Sequence, residues 1–299
     1  MKFTIKSKDL SGKTVLLTGG NEGIGFNTAI QLAKMNAEII IASRNKDKSI
    51  KAVEEIKKAS GNDKISYRIL DLGSIQGVKD FAEDFKKDYS KLDLLINNSG
   101  ATFMNYGLTK DGLEQTLHVN HVGGFILTLS LLPIIEKADN ARIINLSSEA
   151  HNFEKLHLPQ DLNPSPKDYN FMKEYSKSKL MNVLFTKELS KRLAHKNIIV
   201  AAVHPGFVNS NFARDSVENP ILNFILNSLM FIFSGIFARS GEEGAKTTVF
   251  TAIDDSVVTG EYYDACKVGE VQEQALDEQL QLQLWEESAK LTGLNPNIV

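Results

Sequence analysis

Through the first two hundred residues, short runs rich in β-branched residues alternate with longer amphipathic stretches, and few architectures accept that order. Runs that are apolar at nearly every position suit strands buried on both faces, and a helix between each pair supplies the crossover that parallel strands need. The pattern predicts strands over 14–18, 38–43, 65–70, 92–97, 141–146 and 198–203, with helices over 24–35, 46–60, 74–89, 112–135 and 175–196. The fold class is therefore α/β, a doubly wound parallel sheet. With 42% hydrophobic residues in 299, the chain can bury a large core, and it reads as one domain, 1–299, with a terminal amphipathic helix over 271–291.

In open sheets of this kind ligands bind beyond the carboxyl ends of the strands. The conspicuous residues fall there: Gly19 after the first strand, Arg44 after the second, Asp71-Leu72 after the third, Asn97 to Gly100 after the fourth, Ser148 after the fifth and Pro205-Gly206 after the sixth. The loop Thr18-Gly19-Gly20-Asn21-Glu22-Gly23-Ile24-Gly25 joins the first strand to the first helix. Its glycines allow a tight turn and bring backbone N–H groups close to a pyrophosphate at the helix start, which marks a Rossmann-type dinucleotide site. An acid at the end of the second strand would hold the ribose hydroxyls of NAD, whereas a cation there accommodates a 2′-phosphate. The strand ends Ala42-Ser43-Arg44, so NADP(H) is favoured over NAD(H), with Asp47 leaving room for the latter.

Tyr175 and Lys179 stand four apart on a predicted helix and so point the same way. An ammonium there is expected to favour the phenolate and draw the tyrosine towards working pH, making Tyr175 a general acid/base. Of the other Tyr-x-x-x-Lys pairs, Tyr106/Lys110 is interrupted by Gly107 in a loop, Tyr169/Lys173 comes straight after the loop of Pro159 to Pro166, and Tyr263/Lys267 sits past a strand near the end; only Tyr175 starts a clear helix after the strand that leads into Ser147-Ser148. A strand sends those two serines to opposite faces, so spacing alone leaves the choice between them open.

The glycine loop, Asp71-Leu72, Asn97-Asn98-Ser99-Gly100, Asn120, Ser148, Tyr175 with Lys179, and Pro205-Gly206 together resemble the short-chain dehydrogenase/reductase family over about residues 11–265. Ser99 replaces the family's commoner alanine. The resemblance implies that Ser148 orients the substrate oxygen, Tyr175 transfers the proton, Lys179 also bonds the nicotinamide ribose, and Asn120 holds a water that links Lys179 to solvent. It further implies that Asp71 caps the adenine, that Asn98 and Gly100 line the cofactor, and that Val208 and Ser210 hold its carboxamide and phosphates. Phrases such as Asn145-Leu146-Ser147-Ser148, Ala150-His151 and His204-Pro205-Gly206 look like the retinol dehydrogenase and carbonyl reductase branch, which works on hydrophobic alcohols, aldehydes and ketones. The expected function is an NADP(H)-dependent oxidoreductase of such substrates; the alternative is a regulator that binds NADP(H) without chemistry. A serine hydrolase is disfavoured because no Gly-x-Ser-x-Gly is present.

The segment 217–238 carries an unusual density of Ile, Leu, Met and Phe, with Asn219, Asn223 and Asn227 as a narrow polar stripe. Three readings stay open: an apolar lid on the substrate, an element in peripheral contact with a membrane or lipid droplet, and a core or oligomer helix. The leucines of 271–291 suit a helix packed on the body, or else a short partner-binding helix. A net charge of −3 without long single-sign blocks gives no reason to expect nucleic acid. Residues 1–12 contain no apolar run fit for a signal or anchor, so the expected location is cytoplasmic, with the peripheral contact as its variant. Cys266 stands alone, and His118 with His121 lack further ligands at metal spacing, so no metal is expected. Family members often pair their fourth and fifth crossover helices across a two-fold axis, so the resemblance leaves a homodimer open, and the surface faces of 112–135 and 175–196 do not settle it.

Overall fold

In the computed structural model, which describes residues 6–206 and 241–298, eight strands form one sheet in the order β3-β2-β1-β4-β5-β6-β7-β8. The strands are β1 (Thr14–Thr18), β2 (Glu38–Ser43), β3 (Ile65–Ile69), β4 (Leu94–Asn97), β5 (Ala141–Leu146), β6 (Ile198–His204), β7 (Tyr262–Asp264) and β8 (Lys267–Val268). All neighbours pair in parallel except β7 and β8, which form an antiparallel hairpin. β1 and β5 are buried at every position, as strands covered on both faces must be, whereas the edge strand β3 exposes Ile69.

Helices α1 (Gly23–Ala33), α2 (Lys46–Ser60) and α6 (Gly241–Ile253) cover one face; α3 (Ile75–Asp88), α4 (Gln115–Ile135), α5 (Phe171–Arg192) and α7 (Glu278–Thr292) cover the other. Two apolar cores result. Val15, Leu17, Ile39 and Ile41 meet Ala29, Leu32 and Val249, while Leu16 and Ile40 turn towards Val78, Phe85 and Phe125. Helix α4 is long and apolar enough to cross a bilayer, yet 78% of its apolar window is buried inside the protein, which is the signature of a core helix.

Several boundaries differ from the periodicity. β4 starts at Leu94 rather than 92, because buried Asp93 uses its carboxylate to accept from Thr14 N at 3.0 Å and Lys13 Nζ at 2.8 Å. The helix expected over 112–135 begins at Gln115 and carries a π turn at His118–Val122. The helix expected to open at Tyr175 opens at Phe171, where Asn170 accepts from Met172 N and Lys173 N, so Tyr175 sits in its second turn. The terminal helix expected over 271–291 is a 3-10 turn, Glu273–Leu276, followed by α7, whose start Asp277 caps. Trp285 of α7 is fully buried, edge-on to Phe125 at 5.3 Å and beneath the Arg192 guanidinium at 4.2 Å.

Just before α7, Gln272 donates to the carbonyls of His151 and Glu154, and Gln274 accepts from Leu156 N and donates to Leu156 O. The tail thereby grips the loop that follows β5.

Candidate active site

At the carboxyl end of β1, Thr18 Oγ1 accepts from the backbone N–H groups of Asn98 and Ser99 at 3.0 and 2.9 Å, and Asn98 Nδ2 donates to Thr18 O at 2.8 Å. These bonds stitch the glycine turn to the end of β4. Gly19 and Gly23 adopt φ of +68° and +60°, the region that favours glycine. A side-chain carbon on Gly25 would lie 2.3 Å from Gly19 O, so only glycine lets α1 begin this close to the turn. Asn21 and Glu22 lie on the turn; Glu22 forms an ion pair with Lys48 at 3.3 Å, and Ile24 is half-buried against the core. The result is a cradle of backbone N–H groups at a helix start, which fits a pyrophosphate.

At the end of β2, Ser43 turns its hydroxyl inward to Ser49 Oγ at 2.7 Å, and Asn45 caps α2 by accepting from Lys48 N. Arg44 between them is exposed and has no acidic partner within ion-pair distance among the described residues. It lines a cleft of about 190 Å³ together with Asp71, Gly73, Thr109, Lys110 and Val119. Leu72 is instead a core residue. Lys110 was legible in the sequence only as a neighbour of Tyr106; it lies in a loop closed by an isolated bridge between Leu108 and Glu114, where His118 Nδ1 meets Thr109 Oγ1 at 2.9 Å.

The two serines after β5 part as a strand requires. Ser147 Oγ is buried and donates to Lys179 O at 2.8 Å, while Ser148 hydrogen-bonds the Tyr175 side chain. Lys179, 4% exposed, donates from Nζ to Leu146 O at 3.1 Å and lies 5.5 Å from the Tyr175 ring centroid. The expected downward draw of the lysine on the tyrosine is outweighed by burial. Burial pushes the Tyr175 phenol up to about 12 against the lowering effect of the Ser148 bond, and burial brings the Lys179 ammonium down to about 8. Both groups occupy one desolvated pocket, which penalises either charge. Asn120, on the π turn, accepts from Ala101 N at 2.7 Å and donates to Ala101 O and Ser178 Oγ. Its amide thus ties α4 to the Gly100-Ala101 segment beside Lys179 and leaves one Oδ1 lone pair for a further donor. His118 and His121 are buried packing residues; His121 Nε2 meets Ser288 Oγ at 2.8 Å, and burial lowers its ring to about 4. Pro205 is buried and Gly206 has φ of +82°. Val208, Ser210 and the apolar segment 217–238 lie outside the described residues.

A sheet of this order, with a glycine cradle at β1 and a Ser–Tyr–Lys group at the ends of β5 and α5, is the frame of a nicotinamide-dependent oxidoreductase. A family profile for short chain dehydrogenases matches residues 13–160. Retinol dehydrogenase 12 of Bos taurus is 39% identical over 287 residues, covering 95% of this chain and 88% of that protein, and retinol dehydrogenase 11 of Mus musculus is 37% identical with the same coverage. Among solved structures, a protein from Mycobacterium paratuberculosis superposes with a TM-score of 0.75 at 30% identity over 96% of both chains. The chain belongs to the short-chain dehydrogenase/reductase family, and within it is similar to the retinol dehydrogenases. It is an oxidoreductase acting on CH–OH groups, and its family implies a nicotinamide cofactor.

Proposed function

We propose that this chain is an NADP(H)-dependent oxidoreductase that interconverts a hydrophobic alcohol and its aldehyde or ketone, with Tyr175 as the proton-transfer group. The observation that carries this reading is the Ser148–Tyr175 hydrogen bond with Lys179 buried one helical turn away. Arg44 and Lys110, sharing one cleft at the end of β2, support a 2′-phosphate, and Asp71 in the same cleft suits the adenosine. Gly19, Gly23 and Gly25 would hold the pyrophosphate at the start of α1. When bound, the nicotinamide supplies or accepts the hydride at the carbinol carbon. Ser148 donates a hydrogen bond to the substrate oxygen, and Tyr175, neutral at pH 7, holds the proton that this oxygen needs on reduction. Lys179 stabilises the phenolate left behind, and Asn120 fixes the backbone beside it.

The retinol dehydrogenases to which the chain is similar act, by name, on a hydrophobic alcohol, which supports a substrate of that class. We read the protein as cytoplasmic, with 217–238 as its point of contact with an apolar substrate or a lipid surface. Tyr175→Phe should abolish turnover of a panel of aliphatic and aromatic carbonyls with NADPH while cofactor affinity stays within about twofold, since one hydroxyl is removed and the ring is kept. Retained turnover would refute the assignment. Tight NADPH binding by the unaltered protein with no carbonyl reduced would favour the regulator instead.

A further inference from the structure

We propose that a second, polar subsite lies beside Ser148 and Tyr175 and takes a hydroxyl group at the far end of the substrate. The inference rests on the oxidoreductase reading and deepens it. A cleft of about 400 Å³ opens between Glu149 and Asn152, one and four residues after Ser148, and the β7–β8 hairpin with its tail, represented by Tyr262, Asp264, Gly269 and Glu270. In a parallel register Asp264 lies opposite His204, so the cleft sits at the same carboxyl edge of the sheet as the catalytic group. One buried residue joins the two places. His151 Nδ1 lies 2.6 Å from Ser148 O, and its ring packs against Tyr262 with centroids 4.7 Å apart.

Tyr262 is 2% exposed, yet among the described residues its hydroxyl has no hydrogen-bond partner, and neither does the buried Oδ1 of Asp264. Buried polar groups are almost always satisfied, so two orphans on one cleft mark a place that a polar ligand group completes. The wall is shaped for the tyrosine. A side-chain carbon on Gly269 would fall 3.0 Å from the Tyr262 ring and 3.4 Å from Asp264 Cβ, so glycine there lets the ring lie against the hairpin. Burial, with Glu149 and Asp264 nearby, pushes the Tyr262 phenol upward and keeps it a neutral donor. A ligand hydroxyl answers this pair completely, accepting from Tyr262 Oη while donating to Asp264 Oδ1. With Glu149 and Glu270 on the same cleft, a carboxylate or phosphate would be repelled. The substrate class is therefore an apolar chain or ring with the reacting oxygen at one end and a second hydroxyl at the other.

The test compares kcat/KM for unbranched alkanols, ω-methoxyalkanols and α,ω-diols of stepped length, oxidised with NADP+. At the length that spans the cleft, the diol should exceed its methoxy counterpart by at least about tenfold, the worth of one well-made hydrogen bond to a charged group. Tyr262→Phe and Asp264→Asn should each reduce that ratio towards the factor of about two that equivalent ends give, by raising KM. Two substitutions are used so that a misfolded product of one leaves the other. A wild-type ratio near two at every length, or a large ratio that neither substitution lowers, overturns the subsite while plain alkanol oxidation upholds the oxidoreductase reading. A tenfold preference for ω-aminoalkanols over diols would overturn the hydroxyl in favour of an ammonium. If no alkanol or carbonyl is turned over, the oxidoreductase reading fails and takes the subsite with it.

Discussion

Lys179→Met should make the protein more stable at neutral pH while removing its activity. The ammonium is 4% exposed and is held by burial near 8 instead of its ordinary 10.5. At about 1.4 kcal/mol per pH unit, keeping that charge in the folded pocket costs about 3 kcal/mol. Methionine has a similar length and no charge. It forfeits the bond from Nζ to Leu146 O, but Asn182 Nδ2 also donates to that carbonyl at 2.9 Å, so no acceptor is orphaned and the loss is about 1 kcal/mol. The net gain is about 2 kcal/mol, or roughly 3 °C in Tm for a chain of this length. The sign with pH is distinctive. The folded pKa lies below the unfolded one, so the destabilisation is complete below pH 8 and is relieved as pH climbs from 8 to 10.5. Urea unfolding of both cofactor-free proteins at pH 7 and pH 10 measures the gap directly. A variant less stable than its parent at pH 7, or a gap that does not shrink by pH 10, would show that the ammonium is not desolvated as described.

Arg44→Ala should raise KM for NADPH by about ten- to a hundredfold and move KM for NADH by less than about threefold, the difference being charge-assisted bonds to one phosphate; equal effects on both cofactors would remove Arg44 from that role. Acid should weaken the fold through its buried imidazoles. Burial lowers His118, His121 and His151, so their contribution is intact above about 6.5 and is lost as pH falls towards the folded value, near 4 for His121. His121 alone predicts a loss of about 2 kcal/mol between pH 7 and pH 5. An unchanged urea midpoint over that interval would contradict its burial as a neutral ring.

Strand and helix bounds were legible where periodicity and local chemistry agree. β1, β2 and β5 are short runs rich in Val, Leu and Ile that end at turn residues, and α2 is framed by the Asn45 cap and by Gly61 at φ of +70°. The departures at β4 and at the π turn come from contacts between residues distant in sequence. No local pattern announces the π turn at Asn120, because its amide is satisfied by Ala101 and Ser178. Lys110 and Arg44 line one cleft although 66 positions separate them. The order of conspicuous residues along the sheet edge was legible in the sequence, but the direction of the Tyr175 shift depends on the solvent its neighbours exclude. The sheet logic also left Ser147 and Ser148 on opposite faces, and α5 decides what each meets.

The two glutamines of the tail have a consequence for how the enzyme becomes competent. Gln272 stands 121 residues beyond His151, yet it and Gln274 clasp the stretch that leaves Ser148. A growing polypeptide emerging from the ribosome can assemble the sheet through β6 long before that clasp exists. Competence therefore waits for the segment around Gln272 and Gln274, and a substitution that loosens either glutamine acts as a lesion beside Ser148.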